Sequence, residues 1–495
     1  MYRRVHNTHE LNTITTSKSN DNDNDIDTDI DNDTHNKENS NNKSLYKINN
    51  FFTTCIPIIK NGLSNTYFIS SCLAIYTKYF LIYKLSKKTK VDYNYMVKNI
   101  VSKLSSKNVF FTKIFQAVSN NNNILDKELF NYFIEYTDSV KYDSSEIDYN
   151  GLYDLINIAR ANGDELLIDS EEPIKSGNIA LVYKGKLNGK SVIIKYRRKN
   201  IVEKFKRSMD ELFLLISISK KLPYICDLNM SDLFEENREI MLNQLNFNNE
   251  VSNIQLFSDK FKDMSSITIP TVYPYFTENN PCAIVMDFID GKRIEEISDH
   301  NKDEYSRILS RFNLKCVFYD AIYHADMHSG NVIFLKETNN ENNTEVLKIG
   351  IIDYGIIGTM TRIEQNIFFT FFKILVSKNC NELASYIVDN LSEQIECSEN
   401  TLNEQDRNTI VENISSICNK TININNKMMG GEEIVLINKV LKKQNLQFSK
   451  FFCRVELAIA ISENVCNSLA SNSSYIEQLS SAFDELFGNN VDDYF

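Results

Sequence analysis

The chain has 495 residues and a formal net charge of −12, with 66 acidic against 54 basic residues. This excess argues against a general affinity for nucleic acid or anionic lipid, although much of it lies within the first fifty residues. Ten cysteines are scattered singly, without a Cys-x-x-Cys pair, which argues against a disulfide framework or a zinc site. We expect free thiols in a reducing intracellular compartment, cytoplasmic or peripheral to a membrane. The N-terminus lacks the apolar core of a signal peptide, so we do not expect a secreted protein.

Residues 1–49 are dominated by Asn, Asp, Ser and Thr, which predicts a disordered tail. Residues 50–160 are predicted to form an N-terminal helical extension. Within it, the apolar and aromatic stretch from Tyr67 to Tyr83 is followed by several lysines, which is compatible with a membrane-associated helix. Its length is at the lower limit for a span and Lys78 interrupts it, so we favour a packed or surface-associated helix.

Later in the extension, Lys113 and Gln116 are three positions apart and would share one helix face. By itself this spacing describes an ordinary exposed pair.

The pattern changes to strands from Leu166. Two apolar runs, Ile179 to Leu187 and Ser191 to Tyr196, flank Asn188-Gly189, which predicts a tight hairpin. Alternation along the second strand places Lys195 on the same face as Ile193. A lysine there can reach solvent from a sheet edge or bind phosphate, and only the later motifs favour phosphate.

The loop Lys175-Ser176-Gly177-Asn178 precedes this hairpin, where a kinase-like fold has its phosphate-covering loop. Residues 200–262 are predicted to be mainly helical, and the last helix carries Glu250, which would hold Lys195 in place. A strand from Ala283 to Phe288 follows. It predicts the hinge between two lobes, at which Asp287, Phe288 and Ile289 would present backbone groups to adenine.

The chemistry is most concentrated between His324 and Gly355. Asp326 is followed five positions later by Asn331, and a predicted hairpin then leads to Asp353. Phosphoryl transfer in kinase folds needs this set: one Asp near the attacking group, and an Asn and a second Asp holding Mg²⁺. The sequence therefore predicts ATP and Mg²⁺ as cofactors, Asp326 as the catalytic carboxylate, and Lys195 as the lysine that binds phosphate.

Two histidines, His324 and His328, flank Asp326 and could suggest a metal site of their own. We favour structural roles, with His324 bracing the loop and His328 lining the site, because Mg²⁺ prefers oxygen ligands.

Only five residues separate Gly355 from the capping-box pattern that begins at Thr361. Ordinary protein kinases have a much longer segment there, ending in Ala-Pro-Glu, which helps to dock peptides. A peptide substrate is therefore disfavoured.

These patterns together predict an α+β, two-lobed protein-kinase-like fold with an N-terminal helical extension. Residues 161–290 would form the N-lobe with a helical insertion, and residues 291–495 a largely helical C-lobe with the catalytic and metal-binding loops.

Four segments resemble the UbiB/ADCK family of atypical, protein-kinase-like enzymes. They are the catalytic loop His324–Asn331, the metal loop Ile352–Gly355, the hinge Ile284–Gly291 and the helix Asn246–Asn253. The resemblance extends from about residue 95 almost to the C-terminus. It implies a link to isoprenoid and quinone lipid metabolism, with a lipid or isoprenoid-quinone ligand and peripheral membrane association. It also implies that Lys113 and Gln116 lie on a helix that covers the active site.

The chain departs from the family at three places. Phe115 stands where the family has Gly between the Lys and the Gln, and Lys175–Asn178 replaces an alanine-rich loop. The family's acidic pair before the Glu250 helix is Gln244 and Asn246 here, which removes two charges near the metal site.

Three interpretations follow. The first is a UbiB-like ATP-dependent phosphotransferase or ATPase. The second, suggested by these departures, is a nucleotide-binding scaffold or pseudokinase. The third is a small-molecule kinase of the choline or aminoglycoside type, which the helical extension with Lys113 and Gln116 disfavours.

Overall fold

Helices precede the first sheet in the computed structural model of the chain. The structure describes residues 64–108, 110–111, 129, 132, 140, 142–219, 242–338, 345–395, 402–425, 429, 431–469 and 475–487. The predicted tail, Lys113 and Gln116 lie outside these residues. The early helices are α1 (residues 64–85), α2 (Lys90–Lys107) and α3 (Tyr149–Ala161), with a 3₁₀ turn at Ser144–Glu146. Among the described residues, no helix is both long and apolar enough to cross a bilayer.

The N-lobe is built on a five-stranded antiparallel sheet. Its strands are β1 (Leu166–Ile168), β2 (Lys175–Ser176), β3 (Ala180–Leu187), β4 (Lys190–Arg197) and β6 (Ala283–Asp287). They pair in the order β1-β3-β4-β6, with β2 also on β3. Asn188 and Gly189 both have positive φ, 50° and 82°, which is the backbone of a two-residue hairpin turn. The predicted hairpin is confirmed.

Helices pack on both sides of this sheet. They are α4 (Ile201–Ser219), α5 (Phe247–Phe261) and α6 (Pro274–Asn279). One core forms where Leu152, Leu155 and Ala159 of α3 meet the buried side of β3 and β4. Every second side chain of β3 is buried, as expected for a sheet with one face on a core.

The catalytic segments lie on two small sheets in the C-lobe. In the first, β5 (Ile267–Thr268), β9 (Glu345–Ile351) and β8 (Val332–Thr338) pair in that order. In the second, β7 (Ile322–His324) pairs with β10 (Ile357–Thr359). The two apolar runs predicted between His324 and Gly355 are therefore the antiparallel pair β8–β9.

The rest of the C-lobe is helical, apart from a short pair of strands. The helices are α7 (Asp299–Leu314), α8 (Arg362–Ser377), α9 (Cys380–Asn390), α10 (Glu404–Cys418), α11 (Gly431–Lys442), α12 (Lys450–Leu469) and α13 (Tyr475–Phe487). The strands β11 (Ser392–Gln394) and β12 (Leu446–Phe448) pair with each other. Short 3₁₀ or π turns lie at Ile294–Glu296, Lys315–Tyr319, Ser329–Asn331 and Asn419–Ile424.

Aromatic side chains fill the largest core and connect it to the catalytic loops. Phe257 of α5 contacts Phe312 of α7, His324 and Tyr354, with ring centroids 5.0–6.4 Å apart. Burying each such ring contributes roughly 1.5–3 kcal/mol. The same packing that stabilises the lobe therefore fixes the segments that carry the catalytic residues. The α+β, two-lobed kinase-like fold is confirmed.

Candidate active site

A cavity of about 280 Å³ lies between the five-stranded sheet and the C-lobe. It brings together every residue predicted for catalysis or metal binding: Lys195, Glu250, Asp326, Asn331 and Asp353. Its remaining walls are mostly aliphatic or aromatic, as is usual for a small-molecule site. These include Ile174, Ile179, Val182, Ile193, Phe247, Met286, Ile333 and Ile352.

Lys195 forms the centre of a buried ion network. Its Nζ lies 2.6 Å from Oε1 of Glu250 and 2.8 Å from Oδ2 of Asp353. The pairing strand places Lys195 opposite Ile284, so the side chain is fixed in the middle of the sheet and not at its edge. The interpretation of Lys195 as an edge lysine reaching solvent is thus wrong.

Mutual attraction holds Lys195 and Asp353 of this network in their charged forms. Burial opposes the charge on Lys195, but the Asp353 and Glu250 carboxylates outweigh it and raise the pKa of the amine. Burial likewise works against ionised Asp353, yet Lys195 keeps the pKa of that carboxyl well below its usual range. For Glu250 the burial is the larger effect, so its pKa is raised despite Lys195. The Lys195 amine is therefore protonated and can bind an anionic ligand, and the two carboxylates hold it in place.

Glu250 is positioned by the start of α5. Asn246 caps this helix by accepting a hydrogen bond from the Asn248 N–H at 3.2 Å, and Glu250 lies in the first helical turn. Phe247 and Val251 beside it pack against Ile284 of the sheet. One of the two departures from the family's acidic pair therefore has a structural role, because Asn caps a helix as well as Asp does.

The same helix also holds the metal loop. Asn253 donates from Nδ2 to the carbonyl oxygen of Tyr354 at 2.9 Å, and the Tyr354 ring is completely buried. Asn253 belongs to the helix segment that resembles the family, but no role for this side chain could be predicted from the sequence. The contact is between residues 101 apart in the chain, which no local pattern encodes.

His324 joins the catalytic loop to the metal loop. Its Nδ1 accepts from the Asp326 N–H at 3.2 Å, so Nε2 carries the proton and donates to the Asp353 carbonyl oxygen at 2.6 Å. Burial lowers the pKa of the imidazole, which favours this neutral form. The geometry thus supports the bracing role predicted for His324.

Asn331 and Asp353 offer oxygen atoms suited to Mg²⁺. Asn331 donates from Nδ2 to the Asp326 carbonyl oxygen at 2.8 Å, which leaves its Oδ1 for a metal. Asp353 is fixed by the Gly355 N–H, which donates to Oδ1 at 3.0 Å. Within the described parts of the chain, no cluster of three or more His, Cys, Asp or Glu could hold a metal. Two protein ligands fit Mg²⁺ that is shared with nucleotide phosphates.

The nucleotide loop contributes only part of its predicted set. Lys175, Gly177 and Asn178 line the cavity, but Ser176 does not. The Ser176 hydroxyl accepts a hydrogen bond from the buried Arg198, because alternation along β2 turns its side chain away from Lys175. The prediction that Ser176 binds the nucleotide is therefore corrected: its side chain bonds to Arg198 and does not face the cavity.

At the hinge, Asp287, Phe288 and Ile289 all line the cavity. The N–H of Asp287 already donates to Thr271 and that of Phe288 to Ser191. The Asp287 carboxylate accepts from Lys190 and Tyr273. Of the three predicted residues, Ile289 is therefore the one whose N–H remains for adenine.

Some lining residues were not predicted from the sequence to bind nucleotide. Gln244 and Phe247 line the cavity near Glu250, and Arg293 reaches it from beyond the hinge. Arg293 donates from Nη1 to the Gly330 carbonyl oxygen at 2.7 Å, between Asp326 and Asn331 in the chain. A basic residue two positions after the hinge Gly291 was the only local signal for it.

Residues 167–387 match the family model described as the ABC1 atypical kinase-like domain. This range runs from β1 to α9 and contains the whole ion network. Over this range the chain is similar to the ABC1 atypical kinase-like domain, and relatives named UbiB match it as well.

Several similar proteins bear the name "Probable protein kinase UbiB". The protein from Haemophilus ducreyi is 27% identical over 207 residues, which cover 39% of this chain and 36% of the relative. That from Shewanella sp. (strain MR-7) is 28% identical over 231 residues, covering 44% and 40%. That from Providencia stuartii is 26% identical over 226 residues, also covering 44% and 40%. The match thus spans about two fifths of these relatives or less.

Two solved structures are similar to the chain at a lower sequence identity than these relatives. The Rv3197–erythromycin complex from Mycobacterium tuberculosis has a TM-score of 0.40 and 16% identity, covering 65% of this chain and 78% of that one. The Rio2 kinase–ADP/Mg²⁺–phosphoaspartate complex from Chaetomium thermophilum has a TM-score of 0.28 and 13% identity, covering 52% and 75%.

Proposed function

We propose that the chain binds Mg-ATP in this cavity and transfers its γ-phosphoryl group to a small acceptor or to water. The observation that carries the proposal is the buried network of Lys195 with Glu250 and Asp353. It opens onto the same cavity as Asp326 and Asn331. A buried cation between two carboxylates is costly to desolvate, and an anionic ligand at its free side explains why it faces a cavity.

Each residue has one task in the reaction. Lys195 binds the α- and β-phosphates while Glu250 holds it, and the Ile289 N–H meets adenine. Asn331 and Asp353 would hold Mg²⁺, which would neutralise charge on the phosphates. Asp326 accepts the proton of the attacking hydroxyl as its oxygen bonds to the γ-phosphorus. The bond from that phosphorus to the β,γ-bridging oxygen breaks, and ADP leaves.

The proposed acceptor is not a protein side chain. The segment after Gly355 forms β10, which pairs with β7 so that Ile357 lies opposite His324. Arg362 then begins α8 after the predicted capping box of Thr361 and Glu364, which is present. These contacts leave the short segment without the free length that a peptide-docking loop needs.

We further propose that the acceptor is lipid-associated and that the protein binds membranes peripherally, as the family resemblance implies. α1 and the start of α2 carry exposed apolar side chains, among them Leu81, Leu85 and Val91. Lys84, Lys87, Lys88 and Lys90 lie in the same stretch. Apolar side chains next to lysines suit the surface of an anionic bilayer.

The membrane proposal can be tested by sedimentation with vesicles that contain anionic lipid. Leu81→Asp with Leu85→Asp should abolish binding, and replacing Lys84, Lys87 and Lys88 with Ala should make it weak and salt-insensitive. Equal sedimentation of both variants and the wild type would contradict it.

The reaction is tested by measuring ADP release with Mg-ATP, with and without vesicles and isoprenoid phenols. We expect turnover in the wild type and a loss of at least about 10²-fold in Asp326→Asn, whose amide cannot accept the proton. Asp326→Asn should still bind Mg-ATP, because Asn331 and Asp353 remain. ADP release that does not depend on Asp326 would contradict the assignment.

A nucleotide-binding scaffold is the second candidate. It is favoured by Gln244, which puts an uncharged amide on the cavity wall where the family has a carboxylate. Gln244→Glu distinguishes the two: a wild type that binds Mg-ATP without ADP release, and gains release in this variant, would support the scaffold.

A further inference from the structure

We propose that His328 is a catalytic residue of the reaction above, which donates a hydrogen bond from Nε2 to the γ-phosphoryl group as it transfers. This inference rests on the proposed function and adds a residue to it. His328 lines the cavity together with Asp326, Asn331 and Asp353. It lies two positions after Asp326 and three before Asn331, between the proposed base and a metal ligand.

One ring nitrogen of His328 is already engaged. Nδ1 accepts a hydrogen bond from the Gly330 N–H at 3.1 Å, which caps the 3₁₀ turn Ser329–Asn331. In the neutral ring the proton is therefore on Nε2. No described group accepts a hydrogen bond from this Nε2, so its proton is available to a ligand in the cavity.

The loop around His328 is fixed from two sides. Arg293 donates to the Gly330 carbonyl oxygen at 2.7 Å, and the Asn331 N–H donates to the His328 carbonyl oxygen at 2.9 Å. The ring is thus oriented before a ligand arrives, which is the condition for a donor to be effective in a transition state.

The charges of the cavity explain why such a donor is needed. Lys195 is shared between Glu250 and Asp353, so its charge is largely compensated by carboxylates. Asp326 adds a negative charge beside the attacking group. Beside Asp326, a fixed N–H stabilises the negative charge on the γ-phosphoryl oxygens.

During the step, the acceptor oxygen bonds to the γ-phosphorus and its proton passes to Asp326. The bond to the β,γ-bridging oxygen breaks, and its electron pair leaves with ADP. The hydrogen bond from His328 Nε2 to a γ-phosphoryl oxygen becomes shorter in the transition state. The proton stays on Nε2, so the step requires no further reactant.

Two substitutions separate this role from simple bracing of the loop. An Asn side chain can accept from the Gly330 N–H as Nδ1 does, since Asn is a favoured cap, but it has no donor at the Nε2 position. A Gln side chain reaches that position with an N–H donor and is a poor cap. His328→Asn therefore keeps the loop contact, and His328→Gln keeps the donor.

The experiment measures kcat and KM for ADP formation from Mg-ATP, together with the thermal shift given by ADP, Mg²⁺ and aluminium fluoride, which imitates the transferring phosphoryl group. We expect His328→Asn to lower kcat by about 10²-fold, as loss of one oxyanion donor does, with KM within about threefold. His328→Gln should keep kcat within about tenfold of the wild type. The aluminium fluoride complex should weaken in His328→Asn and persist in His328→Gln.

The opposite pattern, with Asn active and Gln inactive, would overturn the inference in favour of bracing. Equal activity in both variants, or equal loss in both, would overturn it as well. If the wild type binds Mg-ATP without turnover, the thermal shifts with ADP, Mg²⁺ and aluminium fluoride decide instead. A shift lost in His328→Asn and kept in His328→Gln supports the inference, and any other pattern overturns it. A wild type that does not bind Mg-ATP refutes the proposed function and, with it, the inference; failure of the variants alone refutes only the inference.

Discussion

Two regions of the molecule hold buried or partly buried carboxylates, and they differ in what the carboxylates face. In the nucleotide cavity, Glu250 and Asp353 both contact the amine of Lys195. In the C-lobe, Glu456 and Glu463 of α12 line a small groove against phenylalanines of α8 and Phe452. Neither has an ion-pair partner among the described residues. The aromatic wall of this groove consists of Phe368, Phe371, Phe372 and Phe452.

The difference appears in the protonation of the acids. Lys195 keeps the pKa of Asp353 low, whereas burial raises the pKa of Glu456 and Glu463 to about 7 each. Glu456 is further raised by Glu463. Asp353 is thus held as a charged ligand-site residue, whereas the two groove glutamates are only partly ionised at pH 7. The presence of a buried cation marks the functional region.

The largest expected effect comes from removing that cation. Lys195→Met leaves the buried Glu250 and the partly buried Asp353 next to each other without a cation. We expect the free energy of unfolding at pH 7 to fall by about 3 kcal/mol, measured by urea denaturation. Lys190→Met is the control on the same strand, because it breaks an exposed pair with Asp287 and should cost less than about 1 kcal/mol. Equal losses in the two variants would show that the network is not specially stabilising.

The groove acids should behave in the opposite way. Their folded pKa lies above the unfolded value, so the native state binds more protons than the unfolded chain between about pH 4.5 and 7. Stability therefore falls as the pH rises through this window. Glu456→Gln should raise the free energy of unfolding at pH 8 by on the order of 1 to 2 kcal/mol, with little change at pH 4.5.

The control for the groove is Glu412→Gln on α10, an exposed site that should change stability by less than about 0.5 kcal/mol at either pH. A Glu456→Gln variant with the same pH profile as the wild type would mean that Glu456 is ionised and paired.

A smaller effect is expected where α5 holds the metal loop. Asn253→Ala removes the bond to the Tyr354 carbonyl oxygen and should lower stability by about 1 kcal/mol. Because Tyr354 adjoins Asp353, the affinity for Mg-ATP should fall further than the affinity for ATP without metal. Calorimetric titration with and without Mg²⁺ checks this, and an equal fall in both affinities would contradict it.

The last prediction concerns the capping role of Asn246, with an effect no larger than that of Asn253→Ala. Asn246→Ala should cost about 1 kcal/mol by removing the α5 cap, whereas Asn246→Asp should keep stability within about 0.5 kcal/mol. Circular dichroism during thermal unfolding gives both values. A loss in the Asp variant as large as in the Ala variant would mean that the cap is not what Asn246 provides.

Features that depend on a local sequence pattern could be predicted from the sequence. The Asn188-Gly189 turn, the alternation around Lys195 and the capping box at Thr361 depend on near neighbours, and all three are present. The spacing from Asp326 to Asn331 likewise lies within one loop.

What could not be predicted depends on distant segments. The Asn253 contact with Tyr354 and the Arg293 contact with Gly330 join residues far apart in the chain. Ser176 was assigned to the phosphates because loop position does not show which way alternate side chains turn. The groove of Glu456 and Glu463 was missed since two glutamates seven positions apart on a helix are usually a solvated face.

The most direct test of the nucleotide site is the affinity for ATP measured by calorimetry with Mg²⁺ and with EDTA, in the wild type and in Asp353→Asn. Among the described residues, two protein side chains, Asn331 and Asp353, are offered to the metal. Mg²⁺ alone should therefore give no heat, and Mg-ATP should bind much more tightly than metal-free ATP. In Asp353→Asn this dependence on Mg²⁺ should disappear. Unchanged tightening by Mg²⁺ in Asp353→Asn would contradict the assignment of the site.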